Sequence, residues 1–159
     1  MKPLKRFLGY KIKSNQITVV SLGRSRSFGA AYNKRRLKLE KVVKSAALSA
    51  LKVLKQSNVY LEIYLAGASR MRMLNKKFRG KNKAADVLSF PEPEGFLCGD
   101  KSLKPLGEVF LNIVEFKDGK RVVFLLVHGI LHLLGYDHIR KNDRIKMEKK
   151  EAQLIVNSQ

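Results

Sequence analysis

Leu125-Leu126-Val127-His128-Gly129-Ile130-Leu131-His132-Leu133-Leu134-Gly135-Tyr136-Asp137-His138 contains all three histidines of the 159-residue chain. Their spacing is H-x-x-x-H-x-x-x-x-x-H. On a helix, residues four apart share a face one turn apart, so His128 and His132 can offer two imidazoles to one ion. Gly135 is placed to end that helix, because glycine takes the left-handed C′ conformation without a Cβ clash. The chain can then turn and return His138 toward the first two. Three imidazoles without a fourth side chain leave a position open for water, which is the layout of a catalytic zinc site. A lone histidine on an apolar face is usually a hydrogen-bonded core residue; three at ligand spacing around a glycine turn are not. Imidazole also suits nickel, copper and iron, so zinc is the first expectation among several.

Gly129 narrows the chemistry. In the H-E-x-x-H metallopeptidases the residue after the first histidine is a glutamate that serves as general base. Glycine cannot exchange a proton, so a peptidase of that kind is disfavoured. The base must then be another side chain, a metal-bound hydroxide or the substrate.

Upstream, Leu39, Val43, Ala47, Ala50 and Leu54 recur at three- and four-residue steps and predict a helix over 37–56. Val59, Leu61, Ile63 and Leu65 alternate with Tyr60, Glu62 and Tyr64, the pattern of a strand with one face on the core. A short helix over 69–78 should close at Gly80. Lys81 to Ala84 reads as a basic loop. Asp86 to Phe90 reads as a strand stopped by Pro91 and Pro93, and 92–104 as a loop. Leu106 to Asn112 reads as a strand with Val109 and Leu111 on one face. Asp118 is a candidate cap for the histidine helix, and Asn142 for a last helix running to about Val156. This order predicts an α+β fold, a small mixed β-sheet packed against helices, with the histidine helix turning its metal face to a cleft.

The length suits a single domain, 1–159. Lysine and arginine number 33 against 13 aspartate and glutamate, for a formal net charge of +20. Self-repulsion of that size points to a polyanionic partner, nucleic acid first and an anionic membrane second. No acidic residue precedes Glu40, and residues 1–38 form a strongly basic segment. Such a segment is either solvated or an RNA-binding arm; a targeting peptide fits less well, because the run Gln16 to Ser21 is strand-like. The longest apolar run, Val122 to Leu134, falls short of the ~20 residues of a membrane span, so a membrane-spanning role is not expected. No signal peptide is expected either. The single cysteine, Cys98, excludes an internal disulfide and suits a reducing cytoplasm. Its simplest reading is a loop thiol.

The run His128 to His138 resembles the signature of the bacterial YbeY family of rRNA maturation factors. Leu74-Asn75-Lys76-Lys77-Phe78-Arg79-Gly80-Lys81 and Asp86-Val87-Leu88-Ser89-Phe90-Pro91 are similar to two further segments of that family, in the right order, and Gly107-Glu108-Val109 to a third. The resemblance covers roughly Val59 to the C-terminus. It implies a cytoplasmic, zinc-dependent, single-strand-specific endoribonuclease acting in rRNA maturation (16S rRNA 3′-end processing). Its cofactor would be one Zn2+ on His128, His132 and His138. Its partners would be rRNA and the small ribosomal subunit or its assembly factors. It lifts Arg79 above a surface charge to the candidate cation for a phosphate in the transition state. Lys76, Lys77, Lys81 and Lys83 become candidate phosphate-backbone contacts. Asp137 is a candidate to orient a ligand imidazole, or else caps its turn. Ala85 stands where the family has threonine and Glu108 where it has aspartate, which puts the shape of the expected cleft in question. The stretch from Asn112 to Leu125 looks short for the family. Two other readings remain open: a non-catalytic RNA- or ribosome-binding assembly factor with a structural zinc, and a metallopeptidase or other metal hydrolase.

Overall fold

The computed structural model describes residues 14–22, 30–93, 95, 100–113 and 119–156, the side chains of 30–32 and 156 aside. The elements are β1 (Gln16–Leu22), α1 (Ala30–Val53), β2 (Val59–Ala66), α2 (Ala68–Arg79), β3 (Val87–Pro91), β4 (Lys104–Asn112), α3 (Gly119–Leu133) and α4 (Lys141–Val156). The four strands form one mixed sheet in the order β1-β2-β4-β3. β1 and β4 both run parallel to β2, while β3 is antiparallel to β4. This is the α+β architecture that the periodicities predict.

Alternation sorts the side chains of β2 and β4 between two faces. Val59, Leu61, Ile63, Leu65, Val109 and Leu111 enter the main core with Val43, Ala47, Ala50 and Leu51 of α1 and Leu126, Val127, Ile130 and Leu131 of α3. α4 lies over α3 and adds Met147 and Leu154 to this core. The opposite face carries a smaller cluster of Ala66, Met71, Leu88 and Phe110 under α2. Tyr64 stacks on Phe110 there at 4.6 Å, and Phe90 meets Phe110 edge-on at 5.7 Å. Each fully buried leucine, isoleucine or valine contributes about 1.5–3 kcal/mol, so α3 is the most strongly anchored helix relative to its length.

Several boundaries differ from expectation. β3 runs through Pro91 instead of stopping before it, and β4 starts at Lys104, in the stretch read as a loop, rather than at Leu106. The strand-like run inside the basic segment is edge strand β1, its start tied down by the Asn15 side chain. That amide donates to the Gln56 carbonyl at 2.9 Å and accepts from the Val59 amide at 3.1 Å. α1 starts at Ala30 rather than Leu37, because its first turns have little apolar periodicity to read. It also ends at Val53 rather than Gln56. Lys55 takes φ +54° and the Gln56 amide donates to the Leu51 carbonyl at 2.8 Å, a glycine-type helix end made without glycine. α4 starts at Lys141, so Arg140 precedes the helix and Asn142 lies inside its first turn instead of capping it. Asp118 and Cys98 fall outside the described residues.

Candidate metal centre

α3 can bring its histidines against the sheet because Gly129 has no side chain. A Cβ at that position would stand 2.9 Å from Val109 Cγ1, 3.0 Å from Ser89 Oγ and 3.3 Å from Val87 Cγ2. A glutamate there has no room, which is the packing reason why the peptidase base is absent.

Beside Gly129 on α3, His128 and His132 face each other with ring centroids 4.6 Å apart and Nε2 atoms 3.1 Å apart. The helix then closes as a Schellman motif. Gly135 takes φ +84°, its amide donates to the His132 carbonyl at 3.0 Å, and the Tyr136 amide donates to the Leu131 carbonyl at 3.0 Å. The reversal returns the His138 ring to 5.6 Å from that of His128 and 5.0 Å from that of His132. One ligand nitrogen from each histidine falls within 4.8 Å of the other two. Tetrahedral bonds of 2.0–2.1 Å place zinc-bound nitrogens about 3.4 Å apart, so small ring rotations would seat one ion and the donor set fits the metal expected from the spacing. Burial holds the His132 imidazole below its ordinary pKa, with His128 and His138 adding to the effect. That favours the neutral, ligating form.

Glu151 completes the cluster, and nothing in the histidine stretch announces it. This α4 residue is 8% exposed and accepts a hydrogen bond from His128 Nδ1 at 2.7 Å. With Nδ1 donating, Nε2 keeps its lone pair for a metal. The signal was present in α4 itself: Met147, Glu151 and Leu154 share a buried face, so an acid sits in an apolar register.

These elements and residues belong to a recognisable group of proteins. A family profile described as "Endoribonuclease YbeY" matches residues 30–159. The chain belongs to the YbeY family. It is 33% identical to the Endoribonuclease YbeY of Thermodesulfovibrio yellowstonii over 89% of this chain and 98% of that protein. It is 38% identical to that of Aquifex aeolicus over 76% and 81%. The solution structure of TM1509 from Thermotoga maritima aligns with a TM-score of 0.47 and 25% identity, over 90% of this chain and 89% of that one.

In this YbeY-family chain a cavity of about 420 Å³ opens beside the histidines, lined by His128, His138 and Glu151 with Asp86, Val87, Phe124, Leu125, Arg144, Met147 and Glu148. Arg144 is the cation in that lining; Arg79 is not part of it. Arg79 ends α2, where Gly80 at φ +68° caps the helix and donates to the Lys76 carbonyl at 3.1 Å. Arg79, Lys76, Lys77, Lys81 and Lys83 are all exposed. The loop after α2, which carries Lys81 and Lys83, is pinned to the helix by Asn75, whose side-chain amide donates to the Lys83 carbonyl at 2.8 Å, and by Arg72, which donates to Asn82 at 2.9 Å. It leads to Asp86 at the cavity edge, where Arg121 pairs with the carboxylate at 2.8 Å. The Asp137 carboxylate accepts from the His138 backbone amide at 2.7 Å and so holds the turn. Ala85 and Glu108, the two departures from the family pattern, are on the α2 face of the sheet. Ala85 packs against the Leu88–Phe110 cluster, and Glu108 lines a separate groove with Glu62 and Glu92.

Proposed function

We propose that this chain is a zinc-dependent endoribonuclease that cuts single-stranded RNA during rRNA maturation, at the 16S rRNA 3′ end, in the cytoplasm and in contact with the small ribosomal subunit or its assembly factors. The observation that carries the reading is the trio of imidazole nitrogens within 4.8 Å, opening on a cavity in a chain of net charge +20. One zinc ion would be held by His128, His132 and His138, where it supplies Lewis acidity and brings the pKa of its water toward ~7. His128 is held by Glu151 in the tautomer that ligates. Arg79 contributes a planar guanidinium able to grip a phosphate through two parallel hydrogen bonds. Lys76, Lys77, Lys81 and Lys83 hold the backbone without reading sequence. No helix among the described residues is long and apolar enough to cross a membrane. The family membership favours nuclease over peptidase chemistry, and Gly129 supports the same choice.

The test is single-turnover cleavage of an end-labelled single-stranded RNA, with the same sequence as a duplex for comparison. Each is run with and without chelator, with metal content measured by mass spectrometry. Chelation should abolish cleavage and zinc should restore it. Arg79→Ala should retain metal and lose about 10²–10³ in rate, with little rescue by Arg79→Lys. Tight RNA binding with no metal-dependent cleavage would favour the non-catalytic assembly factor.

A further inference from the structure

Phe124 lies one helical turn before His128 on the same face of α3. It is 39% exposed, although its helix is otherwise among the most buried elements. Its ring centroid is 6.2 Å from that of His128, with the planes tilted by 31°. It lines the 420 Å³ cavity that also receives His128 and His138. From these positions we infer that the cavity is a nucleobase subsite, in which Phe124 stacks the base of a nucleotide flanking the phosphate to be cut. The inference rests on the ribonuclease reading of the histidine cluster.

Size, lining and charge all select a base. The volume is in the range of small-ligand pockets. Buried Leu125 and Met147 supply an apolar wall. Asp86, Glu148 and Glu151 put carboxylates in the same lining, which repel a phosphate. Glu151 is engaged by His128, and the exposed Glu148 is the one available to accept a hydrogen bond from the amino edge of a base. Arg144 is the cation on that lining and pairs with Glu148 at 3.4 Å, both side chains being well exposed. It is placed to exchange that weak pair for the nucleotide's phosphate. An aromatic face takes any base, so the subsite positions a single strand without demanding a sequence. A base locked in a duplex cannot enter, which gives a physical source for single-strand preference.

The experiment places 2-aminopurine, whose fluorescence falls on stacking, next to the mapped cut in a short single-stranded RNA. Stopped-flow mixing with the zinc-loaded protein then reads binding before cleavage. Wild type and Phe124→Tyr should quench the probe. Phe124→Leu, which keeps apolar volume and removes the ring, should not. Its KM should rise about tenfold, the loss falling on KM rather than kcat. Metal content and thermal stability are measured for each variant. Equal quenching and equal KM in Phe124→Leu would overturn the subsite. A wild-type protein that quenches the probe without cutting would overturn the nuclease reading and leave the base site standing.

Discussion

His128 donates through Nδ1 to Glu151, so the tautomer that ligates a metal is set by a residue on another helix. Outer carboxylates of this kind are worth about 10–100-fold in metal affinity. Glu151→Gln should therefore weaken zinc binding by roughly that factor, measured by competition with a chromophoric chelator, while leaving the three ligands in place. An unchanged affinity would reduce Glu151 to a buried packing residue. Glu108 is a carboxylate of the opposite kind. Burial raises its pKa above the ordinary value, Glu62 and Glu92 raise it further, and the Tyr64 hydroxyl hydrogen bond opposes them only in part. Tyr64 itself is pushed up to about 12, first by burial and then by Glu62, so its hydroxyl stays protonated and donates to Glu62 at 3.1 Å. A carboxyl that holds its proton more tightly when folded adds stability at pH below ~4.3, its value in the unfolded chain. That stability is lost as pH rises through the higher folded value. Glu108→Gln should thus raise Tm at pH 7 and leave it unchanged near pH 4. A Tm difference independent of pH would assign the effect to packing instead.

α3 is the element on which the fold and the candidate site meet, and Gly129 sets how close it comes to β3 and β4. Val109 is β-branched and fully buried, so it cannot swing away from an added methyl. Overpacking of this sort costs about 1–3 kcal/mol, against about 1 kcal/mol gained by replacing a helical glycine with alanine. Gly129→Ala should therefore be neutral to about 2 kcal/mol destabilising in urea unfolding, and Gly129→Glu should not fold. A stabilised Gly129→Ala would mean that the helix shifts freely on the sheet. α3 was legible in the sequence because its signals agree: apolar runs, two histidines at helical spacing and a glycine at the end. Glu151 was not, because the reason for it lies across a helix–helix contact 23 residues from His128. The end of α1 was misread for a related reason. Lys55 occupies a left-handed position that sequence patterns assign to glycine or asparagine. β1 was visible only as a strand-like run, since an edge strand next to a charged segment does not reveal its partner.

Charge is distributed unevenly over the whole molecule. The chain has only 13 acidic residues, yet Glu62, Glu92 and Glu108 meet in one groove of about 1170 Å³ on the α2 face of the sheet. Arg70 and Lys77 share the lining of that groove, and the histidine cavity lies on the opposite face, beside the helix that α1 packs against. The first half of α1 carries Lys34, Arg35, Arg36 and Lys38, of which Arg36 is partly engaged by Glu40 at 3.7 Å. For single strands, each phosphate neutralised steepens the fall of log affinity with log salt by about 0.7. Replacing these four cations by glutamine should flatten the slope by up to about 2–3 and leave metal content unchanged. The measurement is RNA binding titrated at several salt concentrations for wild type and the fourfold variant. If the two slopes coincide, this end of α1 does not touch phosphate, and the strand is held by cations elsewhere, with Lys76, Lys77, Lys81 and Lys83 next to be neutralised.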